Sequence, residues 1–379
     1  MAGIYLHIPF CKQACHYCDF HFSTNTSKKN EMVEAIKQEL LLQKDYLSTH
    51  QLDTIYFGGG TPSLLSEAEL SSLLDTIHRL FAVDKKAEIT LEANPDDLDK
   101  TKLQQIKSSG VNRLSIGIQS FYEPHLKFLN RAHTSAEAER CVLQAQEIGL
   151  NQISIDLIYA IPYQDHSIWQ TDLQKALALH PQHISSYCLT IEDKTVFGKW
   201  LQKGKLNQIE EDFAAEQFEI LLQTLADRGY EQYEISNFCL PNQYSRHNSN
   251  YWRGEPYLGV GPGAHSFNGS IRQFNVSNNA LYLKSLAEHK IPFAVDELSK
   301  TDQINELIMT GLRTKWGCNL QKLQESFQYD LYLLNKNYVD QLIAEGQAVL
   351  QEEQLILTNK GKLLADRIAS DLFVVEEIN

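Results

Sequence analysis

Six short runs rich in β-branched and aromatic residues alternate with helical stretches up to about residue 190, and this rhythm narrows the fold further than any other feature of the chain. The runs are Ile4 to Ile8, Thr54 to Phe57, Glu88 to Glu92, Arg113 to Gln119, Ile153 to Ile158 and His183 to Leu189. Alternation of this kind predicts βα units around a parallel sheet with right-handed crossovers. Ser66, with Glu69 three residues on, has the spacing of a capping box at the start of the second helix. Gly110 and Gly149 stand where helices end ahead of the fourth and fifth strands. Six units are too few to close an eight-stranded barrel, so the predicted fold is α/β: an incomplete, open-sided (β/α)6 TIM-like barrel whose site lies at the C-terminal ends of the strands. Polar residues collect there. Cys11 follows the first strand, Gly58-Gly59-Gly60-Thr61-Pro62 the second, Glu92 ends the third, Gln119 the fourth, and Asp156 comes late in the fifth.

Three divisions are predicted: a core over 1–235, a loop-rich segment over 236–300 that closes the site, and a smaller, mostly helical module over 301–379 resembling a winged helix. Pro241, Pro256, Pro262 and many glycines break the βα rhythm in the middle segment. In the last, helical stretches precede a short strand pair, Ala348 to Leu350 and Gln354 to Leu357, and a helix from about Asn359.

With 379 residues, 43% hydrophobic and 22% charged, the chain has the composition of a globular protein with a full-sized core. A formal net charge of −14 repels phosphate backbones and excludes nucleic acid as the main partner. No apolar run approaches a membrane span, and neither an export signal, a basic amphipathic helix nor a lipidation motif is evident, so a cytoplasmic location without a direct membrane anchor is expected. Seven cysteines, three of them clustered, do not form a secreted disulfide pattern. Cys141, Cys188, Cys239 and Cys318 read as inert thiols, with Cys188 expected to face the site.

The clustered three, Cys11, Cys15 and Cys18, have the spacing C-x3-C-x2-C. Three thiolates in a compact loop hold three corners of a 4Fe-4S cubane and leave the fourth iron open. Structural zinc is the alternative, with His7, His16 or His21 as a fourth ligand, although the spacing is not that of common zinc fingers.

Tyr5-Leu6-His7-Ile8-Pro9-Phe10-Cys11, with Cys15, Tyr17 and Cys18, resembles the opening of the radical S-adenosylmethionine (SAM) superfamily in its coproporphyrinogen-oxidase-like branch. The Gly58-to-Pro62 run, Glu92, Gly117-Ile118-Gln119-Ser120-Phe121, Leu129-Asn130-Arg131 and Ile155-Asp156-Leu157-Ile158-Tyr159 extend the similarity in order and spacing over nearly the whole chain. The resemblance implies a 4Fe-4S cluster on Cys11, Cys15 and Cys18 whose open iron chelates SAM, and an electron donor that reduces it. Tyr5, Tyr17, Gly59, Gly60, Thr61, Glu92, Gln119, Arg131 and Asp156 are the implied cofactor-binding residues: glycines for close backbone approach, Arg131 for the SAM carboxylate, and Glu92, Gln119 and Asp156 for its ribose and amine.

Two functions compete within that branch. The oxygen-independent coproporphyrinogen III oxidases have a further cysteine where Phe20 stands, and an extension ahead of the first strand where Tyr5 is almost at the start. Arg246-His247-Asn248-Ser249-Asn250-Tyr251-Trp252 instead contains an H-N-x-x-Y-W motif similar to that of the heme chaperone family HemW. That likeness implies heme as cargo, a heme-acceptor protein as partner, His247 as axial ligand and Tyr251 and Trp252 as stacking surfaces. The Leu258-Gly259-Val260-Gly261-Pro262-Gly263-Ala264-His265 run lacks the strand-to-helix setting of a dinucleotide site; it reads as a tight turn, with His265 a second heme-ligand candidate.

Overall fold

A computed structural model describes residues 2–375. Six parallel strands lie side by side in chain order: β1 (Gly3–Ile8), β2 (Gln51–Gly59), β3 (Ala82–Ala93), β4 (Arg113–Gln119), β5 (Gln152–Tyr159) and β6 (His183–Cys188). The helices between them are α1 (Lys29–Leu42), α2 (Glu67–Leu80), α3 (Lys100–Ser108), α4 (Glu123–Phe128), α5 (Ser135–Glu147) and α6 (Ser167–Ala178). Along each strand the side chains alternate. Ile4, Leu6, Phe57, Leu91, Leu114, Ile116, Ile155 and Leu157 point outward and are fully buried in the main core, where each contributes about 2 kcal/mol of transfer free energy. The opposite face carries Tyr5, Tyr56, Glu92, Ser115, Asp156 and Ser185, with Tyr5 paired to Tyr56, Glu92 to Ser115 and Asp156 to Ser185 in register. An apolar outside and a polar inside identify a barrel wall whose interior serves a site. The sheet also curls: Tyr5 on β1 and Tyr187 on β6 line one cavity, whereas five flat strand spacings would separate them by about 24 Å.

Local chemistry fixes the element ends. Ser66 and Glu69 form the capping box of α2, the Ser66 N–H donating to the Glu69 carboxylate at 2.7 Å. Thr134 and Glu137 repeat it at α5. Gly110 and Gly149 take φ values of +101° and +78°, a region where other residues are strained.

Residues 236–300 are more regular than their composition suggests. After β7 (Glu231–Glu234) and β8 (Asn237–Cys239) at the β6 edge, β9 (Tyr257–Val260) adds in parallel beside β1, and β10 (His265–Phe267), β11 (Ile271–Asn275) and β12 (Phe293–Glu297) extend that edge in antiparallel fashion. These strands are three to five residues long, too short for a period-2 pattern to stand out among glycines and prolines. Leu258, Val260 and Tyr282 join the main core. Beyond it a second core, built on Ile304, Ile308, Leu312, Leu323 and Leu355, belongs to the helices from Lys300 onward and a three-stranded sheet. That sheet contains the expected pair, Ala348–Gln351 against Gln354–Leu357. Among the described residues no helix is long and apolar enough to cross a membrane.

Candidate cofactor site and adjoining cavity

The cysteine loop leaves β1 and is held from two sides. The Cys11 N–H donates to the Ser23 carbonyl at 3.1 Å and the His16 N–H to the Leu129 carbonyl at 3.1 Å. Asn130, with φ +59°, donates its side-chain amide to the Ala14 carbonyl at 2.7 Å. The Leu129-Asn130-Arg131 run is therefore a brace for the loop. Arg131 extends from it into the site, donating to Cys15 Sγ at 3.3 Å, to the Gly117 carbonyl at 2.6 Å and to Asn94 Oδ1 at 2.6 Å, with the Tyr17 hydroxyl 3.5 Å away. Its Nε is buried without a partner. Cys11, Cys15 and Cys18 are all free and half-buried. Burial raises the Cys11 thiol, opposed by a hydrogen bond with Thr61, and pushes Cys18 up to about 12. Such thiols become thiolates only when a strong Lewis acid or a metal cluster takes the charge.

The donor set fits a cluster better than a single ion. Among the described residues no three His, Cys, Asp or Glu side chains close on one metal, whereas a cubane distributes its ligands over separate irons. Of the three histidines considered as a fourth zinc ligand, His7 has both ring nitrogens bonded, Nε2 to the His21 carbonyl at 2.8 Å and Nδ1 to the Tyr5 hydroxyl at 3.2 Å, while His16 Nδ1 meets the Phe128 carbonyl at 2.9 Å and His21 Nε2 meets Asn279 Oδ1 at 2.7 Å.

At the end of β2, a Cβ on Gly59 (φ +102°) would lie 2.5 Å from the His7 ring, and one on Gly60 2.7 Å from the Ile8 and Phe10 carbonyls. Packing thus requires both glycines. Thr61 beside them accepts from the Asn94 amide at 3.2 Å. Glu92 accepts from the Tyr56 hydroxyl at 2.8 Å and the Gly59 N–H at 3.2 Å, yet burial still raises its carboxyl to about 7. Gln119 sits at a β-bulge with φ +68°, and its side chain approaches Gly117 so closely that a Cβ there would meet Nε2 at 2.9 Å. Asp156 accepts from Ser115 at 3.1 Å and Ser154 at 3.3 Å, with burial raising its pKa. Tyr5 stacks on Tyr56 and contacts His7. The predicted cofactor residues therefore come together at one mouth, with the His247 ring stacked against Tyr5 and Tyr56 at centroid distances of 6.5 and 4.9 Å.

His247 lies deeper, only 2% exposed. Its Nδ1 is 2.8 Å from the Thr54 hydroxyl and its Nε2 2.9 Å from the Tyr251 hydroxyl, and burial pushes the imidazole down to about 3. With both nitrogens bonded, neither is open to an iron. The motif reaches open space through other members: Asn248, Tyr251 and Trp252 line a cavity of about 1050 Å³ between the barrel mouth and the C-terminal module. Phe20, 69% exposed, stands at the same cavity, as do His265, Phe267, Arg272, Arg313 and Lys322. Cys188 is turned away beside Tyr159, an outer-layer residue packed against Trp169, and Tyr187 takes the inner position.

One residue gave no sequence signal. Glu39, fully buried in α1, accepts from the Gly261 N–H at 2.8 Å, the Asn275 amide at 2.6 Å and the Tyr282 hydroxyl, tying α1 to the glycine-rich turn more than 200 residues away. A glutamate in a helix reads as a solvent-facing residue unless its partners are known.

Residues 5–174 match the radical SAM superfamily and residues 298–364 the HemN C-terminal domain. The heme chaperone HemW of Bacillus subtilis is 36% identical over 97% of this chain and 98% of its own length; that of Lactococcus lactis is 35% identical over 99% and 98%. The structure of coproporphyrinogen III oxidase (HemN) from Escherichia coli, a radical SAM enzyme, superposes with a TM-score of 0.83 over 99% of this chain and 90% of that one, at 21% identity.

Proposed function

The chain belongs to the heme chaperone HemW family within the radical SAM superfamily, and we propose that it carries heme in the cavity beside the barrel mouth and delivers it to a heme-requiring acceptor protein. The observation that carries this reading is the pairing of two unlike sites: a polar, braced strand-end mouth for a resident cofactor, and an adjoining open cavity of about 1050 Å³ whose walls carry aromatic rings and the cations Arg272, Arg313 and Lys322 beside the carboxylates of Asp19, Glu234, Glu255 and Glu306. A flat, apolar macrocycle with two carboxylates needs both kinds of wall.

At the mouth, Cys11, Cys15 and Cys18 would hold a 4Fe-4S cluster, Arg131 the SAM carboxylate, the Gly59–Gly60 backbone its methionine portion, and Glu92, Gln119 and Asp156 its amine and ribose. Tyr5 and Tyr17 would close the floor beside them. When bound, the cluster supplies a one-electron route to SAM from an external donor. The chain's own contribution is orientation and exclusion of water: Arg131 fixes the thiol loop to β4 and the Asn94 turn, and Glu92, held between Tyr56 and Gly59, is poised to exchange a proton near neutrality. We place it in the cytoplasm, where a net charge of −14 suits a protein whose partners are not nucleic acid.

The test is anaerobic turnover. Cluster-reconstituted protein is incubated with SAM, a strong reductant and coproporphyrinogen III, and protoporphyrinogen is followed by chromatography beside a hemin titration. A carrier binds about one heme per chain and forms no product; repeated turnover of coproporphyrinogen would make the protein an oxidase.

A further inference from the structure

On the heme-carrier reading, we infer that His265, rather than His247, supplies the axial ligand to the heme iron, and that Arg272 on the neighbouring strand receives a heme carboxylate. β10 and β11 pair antiparallel with His265 opposite Phe274 and Phe267 opposite Arg272. Side chains two residues apart along a strand share a face, so these four project to one side, while Ser266 and Gln273 between them are buried on the other. Three of the four line the cavity. The ribbon thus presents an imidazole, a phenyl ring and a guanidinium side by side: a metal ligand, a flat apolar surface and an anion receptor.

Of the three histidines that reach this cavity, His7 has both ring nitrogens engaged, by the His21 carbonyl and the Tyr5 hydroxyl, and the half-buried His21 has its Nε2 on Asn279. His265 is exposed, its ring stacks on Phe274 with centroids 5.7 Å apart, and no hydrogen bond within the described residues ties either nitrogen. Arg272 has one ion pair, to Glu306 at 2.9 Å, and a buried Nε without a partner.

The glycine-rich run aims this ribbon. A Cβ on Gly259 would lie 1.9 Å from the His265 carbonyl, and one on Gly261 (φ +102°) 2.4 Å from that of His7. The Gly261 N–H is anchored on Glu39 at 2.8 Å. The turn is built to press β10 against β9 and β1, fixing the position from which His265 projects.

Hemin is titrated into purified full-length wild type, His265→Ala and Arg272→Gln proteins, read by absorbance and low-temperature EPR. Wild type should show imidazole-ligated ferric heme. In His265→Ala that signature should vanish and Kd rise about tenfold or more, and added free imidazole should restore the spectrum. Arg272→Gln should weaken binding about tenfold with the spectrum unchanged, and the difference should disappear with hemin dimethyl ester, whose carboxylates are blocked. An unchanged spectrum and affinity in His265→Ala would overturn the ligand assignment while leaving the carrier reading intact. A wild-type protein that binds no hemin would overturn both.

Discussion

The barrel mouth and the cavity beside it are both lined with polar and aromatic groups, but they treat those groups differently. At the mouth Arg131 satisfies Cys15, Gly117 and Asn94 at once, Glu92 is held by Tyr56 and Gly59, and Asp156 by two serines. In the cavity no hydrogen bond within the described residues reaches the His265 ring or the Lys322 ammonium, and Phe20 is 69% exposed. A site finished before its ligand arrives is suited to a cofactor that stays; one left open is suited to cargo that comes and goes, because every group satisfied by the protein is one the cargo must displace.

The contrast is broken most severely at the thiol loop. Cys15→Ser should abolish the cluster, removing its visible absorbance and bound iron and sulfide, while leaving hemin binding in the cavity within about twofold. Loss of both together would show the two regions to be one site. Arg131→Met should come next. Removing three charge-assisted hydrogen bonds should destabilise the chain by about 3 kcal/mol or more, seen as a lower Tm, and reduce SAM binding by equilibrium dialysis.

Glu92 sharpens the comparison through pH. Its carboxyl is raised to about 7 in the folded apo protein from 4.5, so between those values the folded state holds a proton that the unfolded state has released. The Glu92 contribution to stability should fall as pH rises from about 4.5 to 7, by up to about 3 kcal/mol, against the rise expected from His7, His125, His133 and His247, whose buried rings resist protonation. Glu92→Gln should lose this contribution, so its Tm profile should diverge from wild type across that window; a Tm profile identical to wild type would remove this carboxyl from the account. The smallest effect is expected for Tyr251→Phe, which strips the hydroxyl from His247 Nε2. It should cost about 1 kcal/mol in denaturant unfolding and leave the ferric heme spectrum unchanged, whereas a loss of heme ligation would return His247 to the ligand role.

How much of this was legible in the sequence follows the same division. The mouth sits on long strands with an apolar outer face and on helices with explicit caps, so β1 to β6, Ser66 with Glu69, and the order of Cys11, Gly59, Glu92, Gln119 and Asp156 could be read directly. The cavity is assembled from strands of three to five residues, from turns, and from a module nearly 300 residues away in sequence. No local period announces Arg272 or Glu39, since both gain meaning from partners remote in the chain. The H-N-x-x-Y-W motif could be seen, but not that its histidine turns inward onto Thr54 while Tyr251 and Trp252 turn outward.

The central claim, that this protein hands heme on, is tested most directly by the rate at which heme leaves it. Heme-loaded protein is mixed with increasing concentrations of an apo b-type heme protein, and transfer is followed by the acceptor's absorbance. A transfer rate that rises with acceptor concentration, above the rate of heme loss to an inert scavenger, is the predicted result. A rate independent of acceptor and equal to spontaneous dissociation would contradict it.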